Sequence, residues 1–490
     1  MVCDTLGAVI EHSELRIAVV GAGPAGVYSS DIFLRELKNK GEELGIGTSA
    51  RIDVFEKLPV PFGLVRYGVA PDHPGIKFIA EALEKTLDNP DIHLYCDVEF
   101  GTDVMLDDLL RRYDMVLFAT GAVEDRPLDL PGVGLDGVYG AARFVEWYDG
   151  YPDGPRDWPL AARQVAVIGG GNVAMDVSRE LMRHADDLHA HTDIPDNVYE
   201  GIRRNAAREL HLFVRRGVAQ AKFSVQELRE LEKLSGVQLV VDEEDFELDA
   251  ETIEKAGHDK LTRQMVEELF VIRDMARDMA DDGGVDYNGD PADRAYHLHF
   301  NASPTELLGT AGAVNAVRVE RTDTGADGVM HRTGVFTDYP AQAVYHAIGY
   351  KPARAAGIAY DNRRTVLAND EGRILSDAQD GVVVPRLYAT GWAKRGPIGL
   401  IGSTKSDALL IVGHMLDDLA GEAAAGRLAP DRDPASIDRL LAQRGVRPID
   451  FAGWKRIDGF ERAQGAEEGR EHKKVVEPER LRGLAHGESR

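Results

Sequence analysis

Two parts of this chain share one plan, in which an apolar strand leads through a glycine-rich turn into a helix. The first has the apolar run Arg16–Val20 and the turn Gly21–Gly26, followed by a helical pattern. The second has the run Gln164–Ile168 and the turn Gly169–Ala174, again before a helical pattern. Such turns bring the N terminus of a helix against the pyrophosphate of a dinucleotide. The sequence therefore predicts an α/β protein with two dinucleotide-binding, Rossmann-like and doubly wound domains.

Segments rich in proline and glycine mark where the chain crosses between these two domains. One such segment covers residues 125–140, and the other covers residues 347–352. We predict that a second domain, residues 125–347, is inserted into a first domain. The first domain is then discontinuous and consists of residues 1–124 and 348–490.

Local patterns predict the elements at the ends of the two units and in the C-terminal part. The two helices after the glycine turns should end near Leu37 and Met182. Residues 381–410 predict a strand, a tight turn and a helix. After about residue 460 the composition turns polar and charged, which favours a surface tail over a core segment.

Composition excludes several other classes of protein. The formal net charge is −26, which argues against a partner that is nucleic acid or an anionic membrane surface. The 2 cysteines, Cys3 and Cys96, are too few and too far apart for a disulfide scaffold, an iron–sulfur cluster or a redox dithiol. No run of 18 apolar residues is present, and the N terminus resembles neither a signal nor a transit peptide. We expect a soluble cytoplasmic protein.

Residues at two strand ends predict which dinucleotide each domain binds. Glu56 ends the strand that follows the first unit, where a carboxylate accepts hydrogen bonds from an unphosphorylated ribose. Arg215 and Arg216 follow the corresponding strand of the second unit, where guanidinium groups pair with a 2′-phosphate. The alternative is that all three are solvated strand-end side chains. The pattern favours FAD in the first domain and NADP in the second.

An FAD site beside an NADP site indicates electron transfer from NADPH through the flavin. Because the chain has no dithiol to place beside a flavin, we expect the electron acceptor to be a separate molecule. That acceptor is either a one-electron protein or a small oxidant such as a quinone. A flavin-free nucleotide-binding protein, used for sensing or assembly, is the alternative outside enzymes.

Three longer motifs carry a resemblance to a known family. They are Pro61–Pro74 (PFGLVRYGVAPDHP), Gly171–Val177 (GNVAMDV) and Gly391–Gly402 (GWAKRGPIGLIG). With them the chain resembles the adrenodoxin-reductase-like ferredoxin–NADP⁺ reductases, including their bacterial members. The resemblance implies an enzyme that takes hydride from NADPH and passes single electrons to a ferredoxin-type iron–sulfur protein. It also implies a monomer.

The glycine fingerprints and this resemblance together predict the site residues. The predicted FAD contacts are Gly21, Gly23, Ala25, Gly26, Glu56, Leu64, Phe100, Trp392, Gly399, Leu400 and Ile401. The predicted NADP contacts are Gly170, Gly171, Asn172, Val173, Arg215, Arg216, Glu227 and Gly399. The resemblance also implies catalytic roles near the flavin–nicotinamide junction for His73, Asp176, Glu230 and Trp392.

Two of these assignments leave alternatives open. Glu227 and Glu230 are three residues apart on one helical face, so the two roles are interchangeable at this stage.

We expect no metal site, and we interpret the histidines His184, His189 and His191 as part of a polar loop.

A basic segment of the second domain is a candidate docking surface for the electron acceptor. Residues 201–233 contain eight basic and four acidic residues in an otherwise acidic chain. Our hypothesis is that Arg203, Arg204 and Arg208 steer an acidic ferredoxin towards the enzyme. The alternative is that the basic residues serve only the phosphates of NADP.

Overall fold

The computed structural model describes residues 14–248, 250–325, 327–399, 401–425, 428–429 and 431–488, without the side chains of residues 251, 255, 401 and 424. The strands, in chain order, are β1 (Leu15–Val20), β2 (Ala50–Glu56), β3 (Ile92–Cys96), β4 (Met115–Phe118), β5 (Glu124–Asp125), β6 (Val138–Gly140), β7 (Gln164–Ile168), β8 (Glu209–Phe213), β9 (Val237–Val241), β10 (Arg294–His299), β11 (Ala302–Thr310), β12 (Ala313–Thr324), β13 (Met330–Pro340), β14 (Ala343–His346), β15 (Tyr350–Lys351), β16 (Tyr360–Asp361), β17 (Val366–Leu367), β18 (Asn369–Asp370), β19 (Arg373–Leu375) and β20 (Val383–Ala389).

The helices connect these strands and cover the sheets. They are α1 (Pro24–Lys40), α2 (Leu64–Tyr67), α3 (Pro74–Lys77), α4 (Ile79–Leu87), α5 (Leu106–Arg112), α6 (Ala141–Tyr148), α7 (Asn172–Met182), α8 (Ala185–His191), α9 (Asp196–Arg203), α10 (Val225–Leu231), α11 (Ala250–His258), α12 (Lys260–Asp281), α13 (Gly391–Arg395), α14 (Ile401–Ala424), α15 (Ser436–Gln443), α16 (Phe451–Glu467) and α17 (Pro478–Ala485), with 3₁₀ helices at Val218–Gln220 and Glu243–Phe246.

Two sheets organise the chain. The first has seven strands in the order β18-β19-β20-β4-β1-β2-β3, and the second has six in the order β6-β14-β7-β8-β10-β9. The second sheet is parallel throughout, and the first is parallel from β20 to β3. Every strand of the second sheet lies between β4 and β18 in sequence. The predicted fold class, with one doubly wound domain inserted into another, is confirmed; the predicted boundary residues stay a prediction.

The first glycine turn has the close contacts that its sequence requires. Gly21 follows the wholly buried β1 with φ of +111°, and a Cβ there would lie 2.5 Å from the backbone oxygen of Ala119. A Cβ on Gly26 would lie 2.0 Å from the backbone oxygen of Gly21, so glycine lets α1 pack against the turn. Both predicted strand–turn–helix units are confirmed, although α1 continues three residues past Leu37, to Lys40.

The chain crosses between the two sheets at two adjacent places. The short strands β5 and β15 pair antiparallel, with Tyr350 opposite Asp125 and Lys351 opposite Glu124. A separate antiparallel sheet of β11, β12 and β13 covers one face of the second sheet, while α7, α10 and α12 pack on the other face. The strand, turn and helix predicted within residues 381–410 are observed as β20, α13 and the start of α14.

The prediction of a surface tail after residue 460 is wrong. Helices α16 and α17 pack against the core of the first sheet, and Leu481 is fully buried. The few charged residues of this segment that are buried have partners: Glu461 pairs with Arg66 at 2.6 Å, and Arg470 donates to the backbone oxygen of Ile194 at 2.9 Å. These buried charges therefore mark an interface within the molecule.

The prediction of a loop around His184, His189 and His191 is also wrong. Residues Ala185–His191 form α8, which has Asp186 and Asp187 in its first turn, where acidic side chains are favourable. The three histidines face separate acidic partners: Asp293 lies 3.3 Å from His184, Glu468 lies 3.5 Å from His189, and Asp187 lies 3.4 Å from His191.

No helix in the described part of the chain is long and apolar enough to cross a membrane.

Candidate functional site

The N terminus of α1 presents an open concavity of backbone groups beside the first sheet. Gly23 is the N-cap residue, no side chain caps the helix, and a Cβ added to Gly23 would meet no atom within 4 Å. The segment that leads to Leu64 lies along the other side of this concavity, because Phe62 donates its N–H to the backbone oxygen of Ala22 at 2.9 Å. Free N–H groups at a helix end attract an anion, so this cradle suits a pyrophosphate.

Glu56 lies at the carboxyl end of β2, directly beside this cradle. Its Oε2 accepts a hydrogen bond from the N–H of Ala22 at 2.9 Å, and its Oε1 accepts one from Leu58 at 3.1 Å. Burial raises the pKa of Glu56, and the backbone donors oppose that rise. Each carboxylate oxygen has a second lone pair for a ribose hydroxyl. The fold thus puts Glu56 where the sequence predicts it.

Helix α13 brings Trp392 to the same end of the first sheet. A Cβ on Gly391, whose φ is +60°, would lie 2.7 Å from the Cβ of Ala25, so α13 meets the first turn of α1. Half-buried Trp392 packs against the small cluster of Ala122, Ala142 and Tyr350, and Val173 of the second glycine turn packs against the same cluster. Residues predicted for the two dinucleotides therefore meet at one apolar cluster.

The remaining predicted FAD residues are less closely tied to this cluster. Phe100 packs edge to face on Phe118 at the end of β4, with ring centroids 5.1 Å apart, in a different part of the core. Gly399 has φ of +85° just before α14. Leu400 lies outside the described residues, and Ile401 is the first residue of α14.

The N terminus of α7 forms the second cradle. Gly171 is the N-cap residue, and a Cβ there would also meet no atom within 4 Å. Asn172 Oδ1 accepts the N–H of Ser224 at 2.9 Å, and Gly170 accepts the N–H of Lys222 at 3.2 Å. These bonds hold the loop before α10 against the glycine turn.

Arg215 and Arg216 follow β8 at the rim of the second cradle. Their backbone is fixed, because Thr322 Oγ1 donates to the Arg215 oxygen at 3.0 Å and Asn301 N–H donates to the Arg216 oxygen at 3.1 Å. Within the part of the chain that the structure describes, neither guanidinium forms an ion pair with a carboxylate. Arg215 is exposed and Arg216 half-buried, so both charges are accessible to a phosphate.

A compact group of charged side chains links the two domains near these cradles. His73 Nε2 lies 3.1 Å from Asp176 Oδ1 and 3.2 Å from Glu227 Oε2. Arg179, which has no exposed side-chain surface, lies 2.6 Å from Asp176 and 2.9 Å from Glu227 and also binds Asp72. We call these five residues the junction cluster.

The carboxylates of the junction cluster favour the protonated form of His73. Burial alone would lower the pKa of His73, but hydrogen bonds to Asp176 and Glu227 outweigh burial and raise it to about 10. Burial alone would raise the pKa of Asp72, yet the Arg179 guanidinium holds that pKa well below its ordinary value. The His73 imidazole and the Arg179 guanidinium thus face three carboxylates.

The structure separates Glu227 from Glu230. Glu227 is in the junction cluster, whereas Glu230 Oε1 accepts from Gln226 at 2.8 Å and from Lys233 at 3.1 Å on its own segment. Glu227 therefore lies in the junction cluster, where the resemblance implied Glu230. This position favours the alternative in which the two glutamates exchange their predicted roles.

Sequence reasoning missed Arg179 and Asp72. Both had a signal, because Arg179 lies one helical turn after Asp176 and Asp72 immediately precedes His73 in the Pro61–Pro74 motif.

The comparisons with known proteins agree with this geometry. Residues 15–253 match the family described as pyridine nucleotide-disulphide oxidoreductase. NADPH-ferredoxin reductase FprA of Mycobacterium leprae is 34% identical over 97% of this chain and 99% of its own length. Human mitochondrial NADPH:adrenodoxin oxidoreductase is 34% identical over 96% of this chain and 92% of its own length.

Solved structures give the same result. FprA of Mycobacterium tuberculosis in complex with NADPH superposes with a TM-score of 0.85 at 32% identity, covering 97% of this chain and 100% of that one. The chain belongs to the family of NADPH-dependent ferredoxin and adrenodoxin reductases. The resemblance inferred from the three sequence motifs is confirmed by membership of this family.

Proposed function

We propose that the chain is a ferredoxin–NADP⁺ reductase that oxidises NADPH and passes electrons singly to a ferredoxin-type iron–sulfur protein. The observation that carries this function is the pair of open helix N termini, one beside a carboxylate and one beside two guanidinium groups without a carboxylate partner among the described residues. Trp392, which lies beside the first, and Val173, which lies at the second, pack on one apolar cluster. Bound FAD supplies the ability to accept two electrons together and release them one at a time. Full-length relatives with this activity support the proposal.

FAD binds in the first domain. Gly21, Gly23, Ala25 and Gly26 form the turn at its pyrophosphate, and Glu56 accepts hydrogen bonds from its ribose. Leu64, Phe100, Trp392 and the turn 399–401 complete the FAD contacts. The open space at Gly23 and the free acceptor lone pairs of Glu56 fit this cofactor.

NADP binds in the second domain. Residues 170–173 form the turn at its pyrophosphate, and Arg215 and Arg216 pair with the 2′-phosphate. Gly399 lies near the nicotinamide. We also propose the domain boundaries predicted above, residues 125–347 within 1–124 and 348–490, and the division of strands between the two sheets supports them.

The junction cluster positions the reacting rings. His73, held positive by Asp176 and Glu227, keeps a fixed charge at the boundary between the domains. Trp392 controls whether a planar ring can stack beside the shared apolar cluster. Glu227 takes the role at this boundary, and Glu230 supports α10 through Lys233.

The protein acts as a monomer. Its electron acceptor docks near Arg203, Arg204 and Arg208. The side chains of Arg203 and Arg204 are 55% and 69% exposed, and their nearest carboxylates, on Glu200 and Asp157, are exposed as well. Arg208 lies 3.7 Å from Asp293. Exposed positive groups of this kind raise the rate of encounter with an acidic partner.

A direct test is rapid mixing of the NADPH-reduced enzyme with a panel of ferredoxins and quinones. The purified protein should be yellow and should be bleached by NADPH, and ferredoxins should reoxidise it faster than quinones. Faster reoxidation by quinones would replace the proposed acceptor. A colourless protein that takes up no flavin would overturn the function altogether.

A further inference from the structure

Three histidine side chains lie together on one face of the second sheet. His211 is on β8, and His297 and His299 are on the neighbouring strand β10. The strand register places His211 beside His297, with ring centroids 4.4 Å apart, and His299 is the next residue on the same face. His211 and His299 are buried, whereas His297 is half-buried. We call these residues the histidine triad.

The triad has ligand atoms at a spacing that suits a metal ion. One nitrogen from each of the three rings lies within 4.8 Å of the chosen nitrogens of the other two. His211 Nδ1 lies 3.0 Å from His299 Nε2. A tetrahedral ion with metal–nitrogen bonds of about 2.0–2.1 Å separates its nitrogen ligands by roughly 3.4 Å. The three ring planes lie within 23° of one another, so the rings must turn about their side-chain torsions for the three nitrogens to point at one ion.

A carboxylate orients one of the rings for coordination. His299 Nδ1 lies 2.8 Å from Oδ2 of Asp242, the residue that follows β9. Because the carboxylate can only accept, Nδ1 carries the proton and the lone pair of Nε2 points towards His211. This is the outer partner that metal-bound histidines characteristically have.

A chain of hydrogen bonds without metal explains only part of the arrangement. It accounts for His211 and His299, which are bonded to each other and to Asp242. His297 has no side-chain hydrogen bond among the described residues, although its ring stacks against both other histidines. A metal ion gives the free nitrogen of His297 a role, and the partial exposure of this ring leaves an entry path.

The other histidine-containing group with ligand spacing does not offer such a site. Asp72, His73 and Asp176 also lie close enough to one another. However, the Arg179 guanidinium lies between them, 2.6 Å from Asp176 and 2.7 Å from His73 Nε2. A cation already occupies that position.

We propose that His211, His297 and His299 bind one divalent transition-metal ion, with Zn²⁺ as the ion that suits the site best. Three imidazole nitrogens are the ligands of borderline ions such as Zn²⁺, and rings from two adjacent strands approach from one side, which suits a tetrahedral ion better than a square-planar one. A water molecule takes the fourth position, and Asp242 positions His299 from outside.

In the experiment, a chelator first removes any metal from the flavin-loaded enzyme. Zn²⁺ is then added, and the Zn²⁺ that the enzyme retains is measured. Metal analysis after dialysis should give one tightly held Zn²⁺ per chain, and competition with a chromophoric chelator should give its affinity. His297→Gln should weaken binding by more than about 100-fold because it removes a ligand, and Asp242→Asn should weaken it by about 10–100-fold because it removes an outer partner. The double variant His189→Gln/His191→Gln should bind like the parent, because both residues lie on α8.

Two checks keep the result interpretable. The flavin content and NADPH bleaching of each variant show that it is folded, and His297→Gln is chosen because this ring is the most exposed of the three. Co²⁺ in place of Zn²⁺ should give the intense visible bands of a tetrahedral site in the parent and lose them in His297→Gln. The proposal is overturned if the parent retains no more Zn²⁺ than His297→Gln, or if the α8 double variant loses it.

Discussion

Single residues at equivalent strand ends set the difference between the two cradles. Glu56 is the last residue of β2 and accepts two backbone hydrogen bonds. Its carboxylate can accept a hydrogen bond from a neutral ribose, whereas it would repel a phosphate. Arg215 and Arg216 follow β8, and their guanidinium groups have no carboxylate partner among the described residues. In our proposal, the same backbone plan therefore distinguishes two dinucleotides by charge.

Replacing Arg215 and Arg216 together by alanine should weaken NADPH selectively. The expected loss is about 1.5–3 kcal/mol for each charged hydrogen bond that is removed. Steady-state kcat/KM with NADPH and with NADH measures it, and only the NADPH value should fall. Arg229→Ala, which removes an exposed arginine paired with Glu268, is the matched control. Equal losses with the two coenzymes would contradict the role of these arginines at the 2′-phosphate.

The charge of His73 should give stability a pH dependence. Its pKa is about 10 in the folded protein and near 6.5 when unfolded, so the folded state holds the proton more tightly. The contribution is complete below pH 6.5 and is lost as the pH rises through about 10. Urea unfolding of the parent and of His73→Gln should therefore converge over this range. A constant difference in unfolding free energy would show that His73 is not charged.

Exposed arginines near the proposed docking surface give a third test on single residues. Changing Arg203 and Arg204 to glutamate should raise the KM for ferredoxin and leave the KM for NADPH unchanged, because the second cradle keeps its own arginines. Reversal of Arg439, 58% exposed on α15, serves as the control for total charge. Ferredoxin kinetics and a salt dependence that match the parent would exclude steering by this surface.

At the scale of elements, our proposal places each dinucleotide at the start of a helix. Helices α1 and α7 both begin at a glycine N-cap without a side-chain cap, in extended backbone that any residue adopts. The space beside Gly23 and Gly171 contains no protein atom within 4 Å of an added Cβ. Side chains at these two positions would therefore fit the fold and collide only with a ligand.

Valine at each of these positions should separate folding from binding. Gly23→Val should fold with at least about tenfold lower affinity for FAD, and Gly171→Val should keep its FAD but raise the KM for NADPH to a similar degree. Gly21→Val is the contrasting variant, since its Cβ would lie 2.5 Å from the Ala119 oxygen and disrupt the turn itself. Flavin absorbance per chain and circular dichroism distinguish the three outcomes. Full FAD content in Gly23→Val would refute the position of the pyrophosphate.

At the scale of the whole molecule, the C-terminal segment joins the two domains. Lys474 is 4% exposed and donates to the backbone oxygens of Arg66 and Asp149, and to the Asp149 carboxylate, each at 3.0 Å. Arg470 reaches the backbone oxygen of Ile194 in the second domain. These contacts hold α2 of the first domain against the segments that follow α6 and α8.

Lys474→Met should destabilise the protein by about 3–5 kcal/mol, because it leaves the Asp149 carboxylate buried without its nearest cation. Lys455→Met, which removes a lysine 45% exposed and paired with Glu84, should cost less than about 1 kcal/mol. Denaturant unfolding of both variants gives the comparison. Similar losses would mean that the buried pair does not hold the domains together.

How far the sequence predicts this molecule depends on how far apart the interacting residues are. The two strand–turn–helix units were predictable because β-branched strands and glycine contacts are local. The burial of the C-terminal segment was not, since Glu461 meets Arg66 across 395 positions. The histidine triad was missed for the same reason, because residues 211 and 297 become neighbours only when β8 pairs with β10. Glu227 and Glu230 could not be distinguished, because α10 is too short for spacing to decide.

The buried C-terminal segment has a consequence for how the protein is made. All strands of the second sheet have been synthesised by His346, whereas Lys474 and the helices α16 and α17 that pack on the first sheet are synthesised much later. Domains of a growing chain fold as units. The second domain can therefore fold before the segment that ties it to the first domain has been synthesised.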